Sequence, residues 1–158
     1  MQLPQDFREF IALMISTNVK FVMIGGYAYN LYLDPRATGD IDFLVSADSA
    51  NEGLIRRVLT DFGFGTTLPS VNEPILVEGR VLMLGRSPMR IDLLTKIDGV
   101  SFEEVKGTCR RVEIDGLLVP VISPELLLKN KIAAGRPKDI ADADELKALL
   151  EARPDRLI

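Results

Sequence analysis

Hydrophobic residues at helical spacing open the chain, and two short apolar runs follow them. The segment PQDFREFIALMIS, residues 4–16, places its apolar side chains on one helix face. The run VKFVMI, residues 19–24, stops at two glycines and is typical of a buried strand. The run DIDFLV, residues 40–45, begins with alternating polar and apolar positions and predicts a second strand.

The rest of the chain predicts more strands, a hairpin and further helices. The segment between residues 63 and 74 is rich in turn residues and predicts a loop. Asp115-Gly116 between two apolar runs predicts a hairpin turn, and Ser123-Pro124 predicts a helix start. The remaining predicted elements are helices at 27–33, 48–62, 123–134 and 137–152, and strands within 75–85, 89–95 and 110–122.

The order of these elements predicts an α+β (α/β) fold. Helices and strands alternate in the first part of the chain, several strands follow, and two helices come last. The length of 158 residues suits one domain on the usual range of about 100–200 residues per domain. We therefore expect residues 1–158 to form a single domain.

Composition removes several kinds of chemistry. Histidine is absent, which excludes histidine bases, histidine-bound zinc and Ser-His or Cys-His nucleophiles. The net charge of −4 argues against a broad basic surface for nucleic acid. The chain has one cysteine, no secretory leader pattern and no apolar run near the ~18 residues of a membrane span. We expect a cytoplasmic protein with no membrane partner.

Two carboxylates stand at the opening of the second predicted strand. Alternation along a strand places Asp40 and Asp42 on one face. Asp92, in MRIDLLT, repeats the pattern of Asp42 on a later predicted strand. If the two strands are neighbours, the three carboxylates meet, and oxygen ligands without histidine or thiolate suit Mg²⁺ or Mn²⁺. A solvent-facing strand entrance, or an ion pair between Arg90 and Asp92, explains the same pattern without metal.

Gly25 and Gly26 follow the first predicted strand and open a helix. Glycines there allow the backbone to approach a ligand, and free N–H groups at a helix start favour an anion. A plain strand-to-helix turn is the simpler explanation. Together with the carboxylates, however, the glycines indicate phosphoryl or nucleotidyl transfer.

The order of these motifs resembles the nucleotidyltransferase superfamily with the DNA polymerase beta-like fold. Its pattern is Gly-Gly or Gly-Ser after the first strand, Asp-x-Asp on the second, and a third carboxylate on a later strand. Here the segments are IGGYAYNLYLDPRATGDIDFLV and RIDLL. The resemblance is closest to the abortive-infection-toxin-like branch, through RATG before the Asp-x-Asp, Lys131 and GRPKDIADADEL. It implies a mixed β-sheet core flanked by helices, with C-terminal helices.

The resemblance also implies a role for each matching residue. Asp40, Asp42 and Asp92 would hold the metal, and Asp92 would activate the acceptor hydroxyl. Lys131 would contact phosphate or acceptor as a fourth catalytic residue. The nucleotide would lie against Gly25, Gly26, Arg36, Thr38, Arg136, Lys138 and Asp139.

Two functions compete for this constellation. The first is an Mg²⁺-dependent nucleotidyltransferase that moves a nucleoside monophosphate from a nucleoside triphosphate to a hydroxyl on RNA, protein or a small molecule, with a toxin-like role of the toxin–antitoxin type. The second is a non-catalytic nucleotide- or partner-binding regulator of a two-gene system. Related toxins usually have more chain after the core, so acceptor recognition is expected to be missing or to be supplied by a second copy or by another protein. Three retained aspartates favour the enzyme over the regulator and over a purely structural protein.

Overall fold

A computed structural model describes residues 1–152 of the chain. It contains six α-helices and a six-stranded sheet, with a short π and 3₁₀ segment over Thr60–Phe64 and Gly65–Thr67. The helices are α1 (Gln5–Ser16), α2 (Gly25–Tyr32), α3 (Ser49–Leu59), α4 (Phe102–Thr108), α5 (Pro124–Ala134) and α6 (Pro137–Ala152). The strands are β1 (Phe21–Ile24), β2 (Ile41–Val45), β3 (Val81–Leu84), β4 (Ile91–Leu94), β5 (Arg110–Ile114) and β6 (Leu117–Val121).

The six strands form one mixed sheet in the order β3-β4-β2-β1-β6-β5. The pairs β2–β4 and β1–β6 are parallel, and the other three pairs are antiparallel. The central strands β1 and β2 are almost fully buried, as their apolar sequences require. The α+β class with a mixed sheet and C-terminal helices is therefore confirmed.

Strand register brings the predicted carboxylates together. Asp42 on β2 is the direct partner of Asp92 on β4 in the parallel pair. The same cross-strand row continues to Ile24 on β1 and to Met83 on β3. Because paired residues share a face of the sheet, this row forms one continuous strip across four strands.

Helices α3 and α5 begin at the caps that their sequences predict. Asp48 caps α3, and the Ser123 hydroxyl caps α5 by accepting a hydrogen bond from the Leu126 N–H at 3.2 Å. Gly135 ends α5 in the left-handed conformation with φ of 66°. The hairpin turn at Asp115 and Gly116 also has positive φ at both positions, as a two-residue turn requires.

One local prediction was wrong, and one helix was not predicted. Residues 75–77 form no strand, because the Glu52 carboxylate accepts the backbone N–H groups of Ile75 and Leu76, each at 2.9 Å. A side chain on α3 thus takes donors that a strand ladder needs. The sequence interpretation also missed α4, which begins at a capping box between Ser101 and Glu104. Within residues 1–152, no helix has the length and apolar character to cross a membrane.

Candidate active site

The adjacent carboxylates of Asp42 and Asp92 form the centre of the site. Asp92 is buried, and Asp42 is half-buried beside it. The pKa of the Asp42 carboxyl is raised to about 6, mainly by burial and then by the negative charges of Asp92 and Asp40. A carboxylate in this position gains from any cation that comes close, because the cation removes both the repulsion and the desolvation cost.

Arg90 supplies a positive charge to two of the three carboxylates. Its Nε and Nη2 donate to the two oxygens of Asp92 at 2.7 and 3.0 Å. The same Nη2 lies 3.2 Å from Oδ2 of Asp40. Asp40 also accepts a hydrogen bond from the Ser87 hydroxyl at 3.1 Å. The ion pair between Arg90 and Asp92, weighed as an alternative to a metal role, is present.

The donor chemistry of the three carboxylates fits a hard divalent cation. No group of three or more acidic or cysteine side chains within residues 1–152 is already arranged to enclose a metal ion. Asp42 and Asp92 are nonetheless direct neighbours, and Asp40 reaches the same guanidinium as Asp92. Oxygen donors of this kind are what Mg²⁺ and Mn²⁺ prefer. Arg90 is the counter-charge that a metal ion would have to share or displace.

The glycine pair lies directly against this centre. Gly25 has φ of +70°, and a Cβ built there would collide with Oδ2 of Asp42. A Cβ on Gly26 would lie only 2.8 Å from the Thr38 hydroxyl oxygen. Only glycine permits this close approach, so the start of α2 meets the carboxylates and Thr38 without an intervening side chain.

A cavity of about 760 Å³ opens above the carboxylates. This volume is within the range of about 300–1,000 Å³ that is usual for small-molecule sites. Of the eleven residues predicted from the sequence, ten line it: Gly25, Gly26, Thr38, Asp40, Asp42, Asp92, Lys131, Arg136, Lys138 and Asp139. Arg90, Leu94, Lys96, Asp98 and Asn130 also line the wall, and the sequence interpretation assigned them no place in the substrate site.

Buried acids on α6 neutralise the basic side of the cavity. The Lys131 ammonium is buried between Asp139, at 3.3 Å, and Asp142, at 3.0 Å. Arg136 donates from Nε to Asp139 at 2.6 Å. Burial acts to raise the pKa of both acids, but hydrogen bonds from Arg136, Arg36 and Lys131 outweigh it and lower both pKa values. Both acids therefore remain charged and hold the cations in place.

Arg36 is the one predicted residue that does not line the cavity. Its guanidinium makes a two-point contact with the Asp142 carboxylate, with Nη2 to Oδ2 at 2.7 Å. It also lies 4.2 Å from the centre of the Tyr29 ring. The Tyr29 hydroxyl donates to Glu145. Arg36 thus ties the segment before β2 to α6.

Asp142 is the buried charged residue beside the site that the sequence interpretation missed most clearly. It contacts both Arg36 and Lys131 and is almost fully buried. Residues three apart share a helix face, so its position after Asp139 was the available signal. That spacing alone does not distinguish a buried acid from a solvated one.

Comparison with protein-family models matches residues 4–157 to the family described as nucleotidyl transferases of unknown function, DUF2204. The chain belongs to this family. The match confirms the nucleotidyltransferase superfamily and the enzyme class that were predicted from the glycine pair and the aspartates. No protein with a curated description matches the chain.

Solved structures give the same fold at low sequence identity. A Thermotoga maritima protein described as a nucleotidyltransferase aligns with TM-score 0.62 and 17% identity, over 93% of this chain and 91% of its own. The solution structure of the antibiotic-resistance factor ANT(2'')-Ia aligns with TM-score 0.57 and 16% identity, over 96% and 90%. The crystal structure of ANT(2'')-Ia with adenylyl-2''-tobramycin aligns with TM-score 0.56 and 16% identity, over 95% of each chain.

Proposed function

We propose that the chain is a metal-dependent nucleotidyltransferase that moves a nucleoside monophosphate from a nucleoside triphosphate to a hydroxyl acceptor. One observation carries the proposal: Asp42 and Asp92 are paired in register on the wall of a cavity, with the Gly25 backbone against Asp42. This combination gives a polar anion-binding backbone beside paired carboxylates, which phosphate transfer needs.

Asp40, Asp42 and Asp92 would hold Mg²⁺ or Mn²⁺. When bound, the cation supplies positive charge to the triphosphate and to the two oxygens that exchange at phosphorus. Asp42 is the strongest support for such a ligand set, since burial beside two other acids makes its free charge unfavourable. Arg90 would keep Asp92 and Asp40 oriented towards this position.

The transfer itself would consist of one substitution at the α-phosphorus. The acceptor oxygen forms a bond to that phosphorus, and the bond from phosphorus to the bridging oxygen of the β-phosphate breaks. Pyrophosphate leaves with that oxygen, and the hydroxyl proton passes to the Asp92 carboxylate. With no histidine in the chain, a carboxylate is the available base.

The cationic side chains would divide the work of binding phosphate. Lys138 is exposed on the cavity wall, and Lys131 and Arg136 reach the same wall from their ion pairs. Gly26 and Thr38 line the same cavity and would also contact the phosphates. Arg36, engaged by Asp142, supports a structural role better than the phosphate contact predicted for it.

The acceptor is proposed as a hydroxyl of a small molecule rather than of RNA or protein. Two of the structural relatives are an antibiotic-resistance factor, one of them with an adenylylated antibiotic. The net charge of −4 also gives a long RNA little electrostatic attraction. A toxin-like role, a partner protein or second copy, a cytoplasmic location and a single domain over 1–158 stay predictions.

A non-catalytic regulator is the second candidate function. The observation that favours it is the neutralisation of Asp40 and Asp92 by Arg90, which stabilises the carboxylates without any ligand. On this alternative the cavity binds a nucleotide or partner but performs no transfer. Nucleotide binding without pyrophosphate release would distinguish it from the enzyme.

Thermal unfolding with nucleoside triphosphates tests the proposal. A ligand at about 100 times its dissociation constant stabilises the native state by about 2.7 kcal/mol. We expect at least one of the four triphosphates to stabilise the wild type only when Mg²⁺ is added. Asp42→Asn should abolish the shift, and Asp61→Asn, at an exposed position, should retain it. If none of the four raises the wild-type midpoint, the proposed function is wrong.

A further inference from the structure

The strip of residues that contains the carboxylates continues onto an exposed apolar surface at the edge of the sheet. Met83 on β3 is the cross-strand partner of Asp92, and Val81 is the partner of Leu94. Both β3 residues therefore share the face of the sheet that carries Asp92. Leu94 also lines the cavity. We call Val81, Met83 and Leu94 the apolar shelf.

Two of the three residues of the apolar shelf are exposed. Met83 is 57% exposed and Val81 is 41% exposed, although both lie within a strand. Scattered exposed apolar residues are common, but these two are neighbours on one face and adjoin the candidate catalytic carboxylates. Their position next to Asp92, the acid assigned to the acceptor hydroxyl, gives the surface a specific place in the reaction.

The dimensions and charges of the apolar shelf define what it can hold. Residues two apart on a strand are separated by about 6.8 Å, which matches the length of one phenyl-sized ring. Two residues beyond Leu94, Lys96 is paired with Glu78 at 3.1 Å, and both side chains are exposed. The two charges cancel, so this end favours neither a cationic nor an anionic ligand.

We infer that the apolar shelf is the acceptor site, and that the acceptor is an uncharged compound that carries an apolar ring and a hydroxyl. The inference rests on the proposed function. The ring would lie on Val81 and Met83, with its hydroxyl towards Asp92. The hydroxyl oxygen would then bond to the α-phosphorus, pyrophosphate would leave, and the proton would pass to Asp92.

Methyl NMR of the methionines tests this inference directly. The chain has five methionines, of which Met14 and Met23 are fully buried and serve as internal controls. The probe is 2-phenylethanol, an apolar ring with a hydroxyl, and glucosamine is the polar, cationic comparison. We expect 2-phenylethanol to shift the Met83 methyl signal saturably, while the signals of Met14 and Met23 stay in place. Glucosamine should leave Met83 unchanged.

Two substitutions test whether the shift of the Met83 methyl signal reports binding on the apolar shelf. Val81→Thr keeps the shape but adds a polar group, and it should weaken 2-phenylethanol binding about fivefold. Leu118→Gln, at a position 55% exposed on β6, is the matched control and should not change the affinity. An unsaturable shift, equal affinity in Val81→Thr, or a Met83 signal that depends on protein concentration without probe would overturn the inference. The last result would indicate that a second copy covers this edge.

The NMR result can be interpreted separately from the thermal-unfolding result, because 2-phenylethanol is added without nucleotide. If a nucleoside triphosphate with Mg²⁺ raises the unfolding midpoint but 2-phenylethanol does not bind, the inferred acceptor site is wrong and the proposed function stands. Probe binding without any nucleotide shift would refute the proposed function, and the acceptor role of the apolar shelf with it.

Discussion

Gly25 and Asp42 show how closely single residues are fitted in the candidate site. The backbone at Gly25 has positive φ, and the space where a Cβ would stand is taken by the Asp42 carboxylate. The glycine therefore serves two purposes that a larger residue cannot serve together. It permits the left-handed conformation, and it leaves the acid in reach of the cavity.

Gly25→Ala is expected to remove nucleotide binding and to lower stability by about 1 kcal/mol or more, from backbone strain and the displaced carboxylate. Thermal unfolding with and without magnesium and triphosphate measures both effects. Gly53→Ala is the control, because no atom outside the local backbone lies within 4 Å of its Cβ position in α3. It should raise stability by about 0.5–1 kcal/mol and keep the nucleotide response. If triphosphate with magnesium stabilises Gly25→Ala as much as wild type, the site does not require the close approach of the Gly25 backbone to Asp42.

The raised pKa of Asp42 predicts a stability that depends on pH. Its carboxyl has a pKa of about 6 in the fold, against the ordinary 3.8. The stabilising contribution of the protonated form is complete below 3.8 and is lost as the pH rises through 6. At pH 7 without metal, Asp42→Asn should therefore be more stable than wild type, by about 1–2 kcal/mol after allowance for solvent screening.

Denaturant unfolding between pH 4 and pH 8 measures this difference. The advantage of Asp42→Asn should be near zero at pH 4, grow towards pH 6 and then level off. Asp61→Asn, exposed after α3, should follow the wild-type curve. An advantage that stays constant across the whole range would contradict the pKa argument.

At the scale of elements, α5 and α6 act as a pair joined by buried charge. Lys131 on α5 is held by Asp139 and Asp142 on α6, and Asp142 also holds Arg36. Buried charges are costly unless every one of them has a partner. The two helices thus place Lys131 and Arg136 on the cavity wall in a fixed arrangement that does not depend on a ligand.

Asp142→Asn should destabilise the protein by about 3 kcal/mol, because it leaves Arg36 and part of the Lys131 charge uncompensated. Asp144→Asn, an exposed acid on the same helix, should change stability by less than about 0.5 kcal/mol. Urea unfolding of the two variants at neutral pH makes the comparison. Equal stabilities would show that the buried network contributes little.

Local signals explain which elements the sequence predicts well. Caps at Ser123 and the stop at Gly135 depend on neighbouring residues, so the bounds of α5 follow from the sequence. The segment 75–77 was apolar enough for a strand, but its N–H groups bind Glu52, which is distant in sequence. The position of Arg36 away from the cavity wall has the same kind of cause, since its partner Asp142 is supplied by the last helix.

At the scale of the whole molecule, the order of the strands in the sheet could not be predicted from the alternation of polar and apolar residues alone. Alternation predicted the faces of Asp42 and Asp92, but their contact depends on β2 and β4 being parallel neighbours in register. The resemblance to the superfamily implied such a sheet, and the structure has it. The exposed extension of the same row to Met83 was not anticipated, because it depends on the register of β3.

The parallel pairing of β1 with β6 has a consequence for the time course of folding. Met23 and Val121 are partners although they are about a hundred residues apart in the chain, and contacts between such distant segments form late because closing a long loop costs entropy. The antiparallel pairs β1–β2 and β5–β6 join segments much closer together. Helices α5 and α6 follow β6 directly, so Lys131 takes its place on the cavity wall only after that closure. The cavity is therefore expected to form last, after most of the sheet has folded.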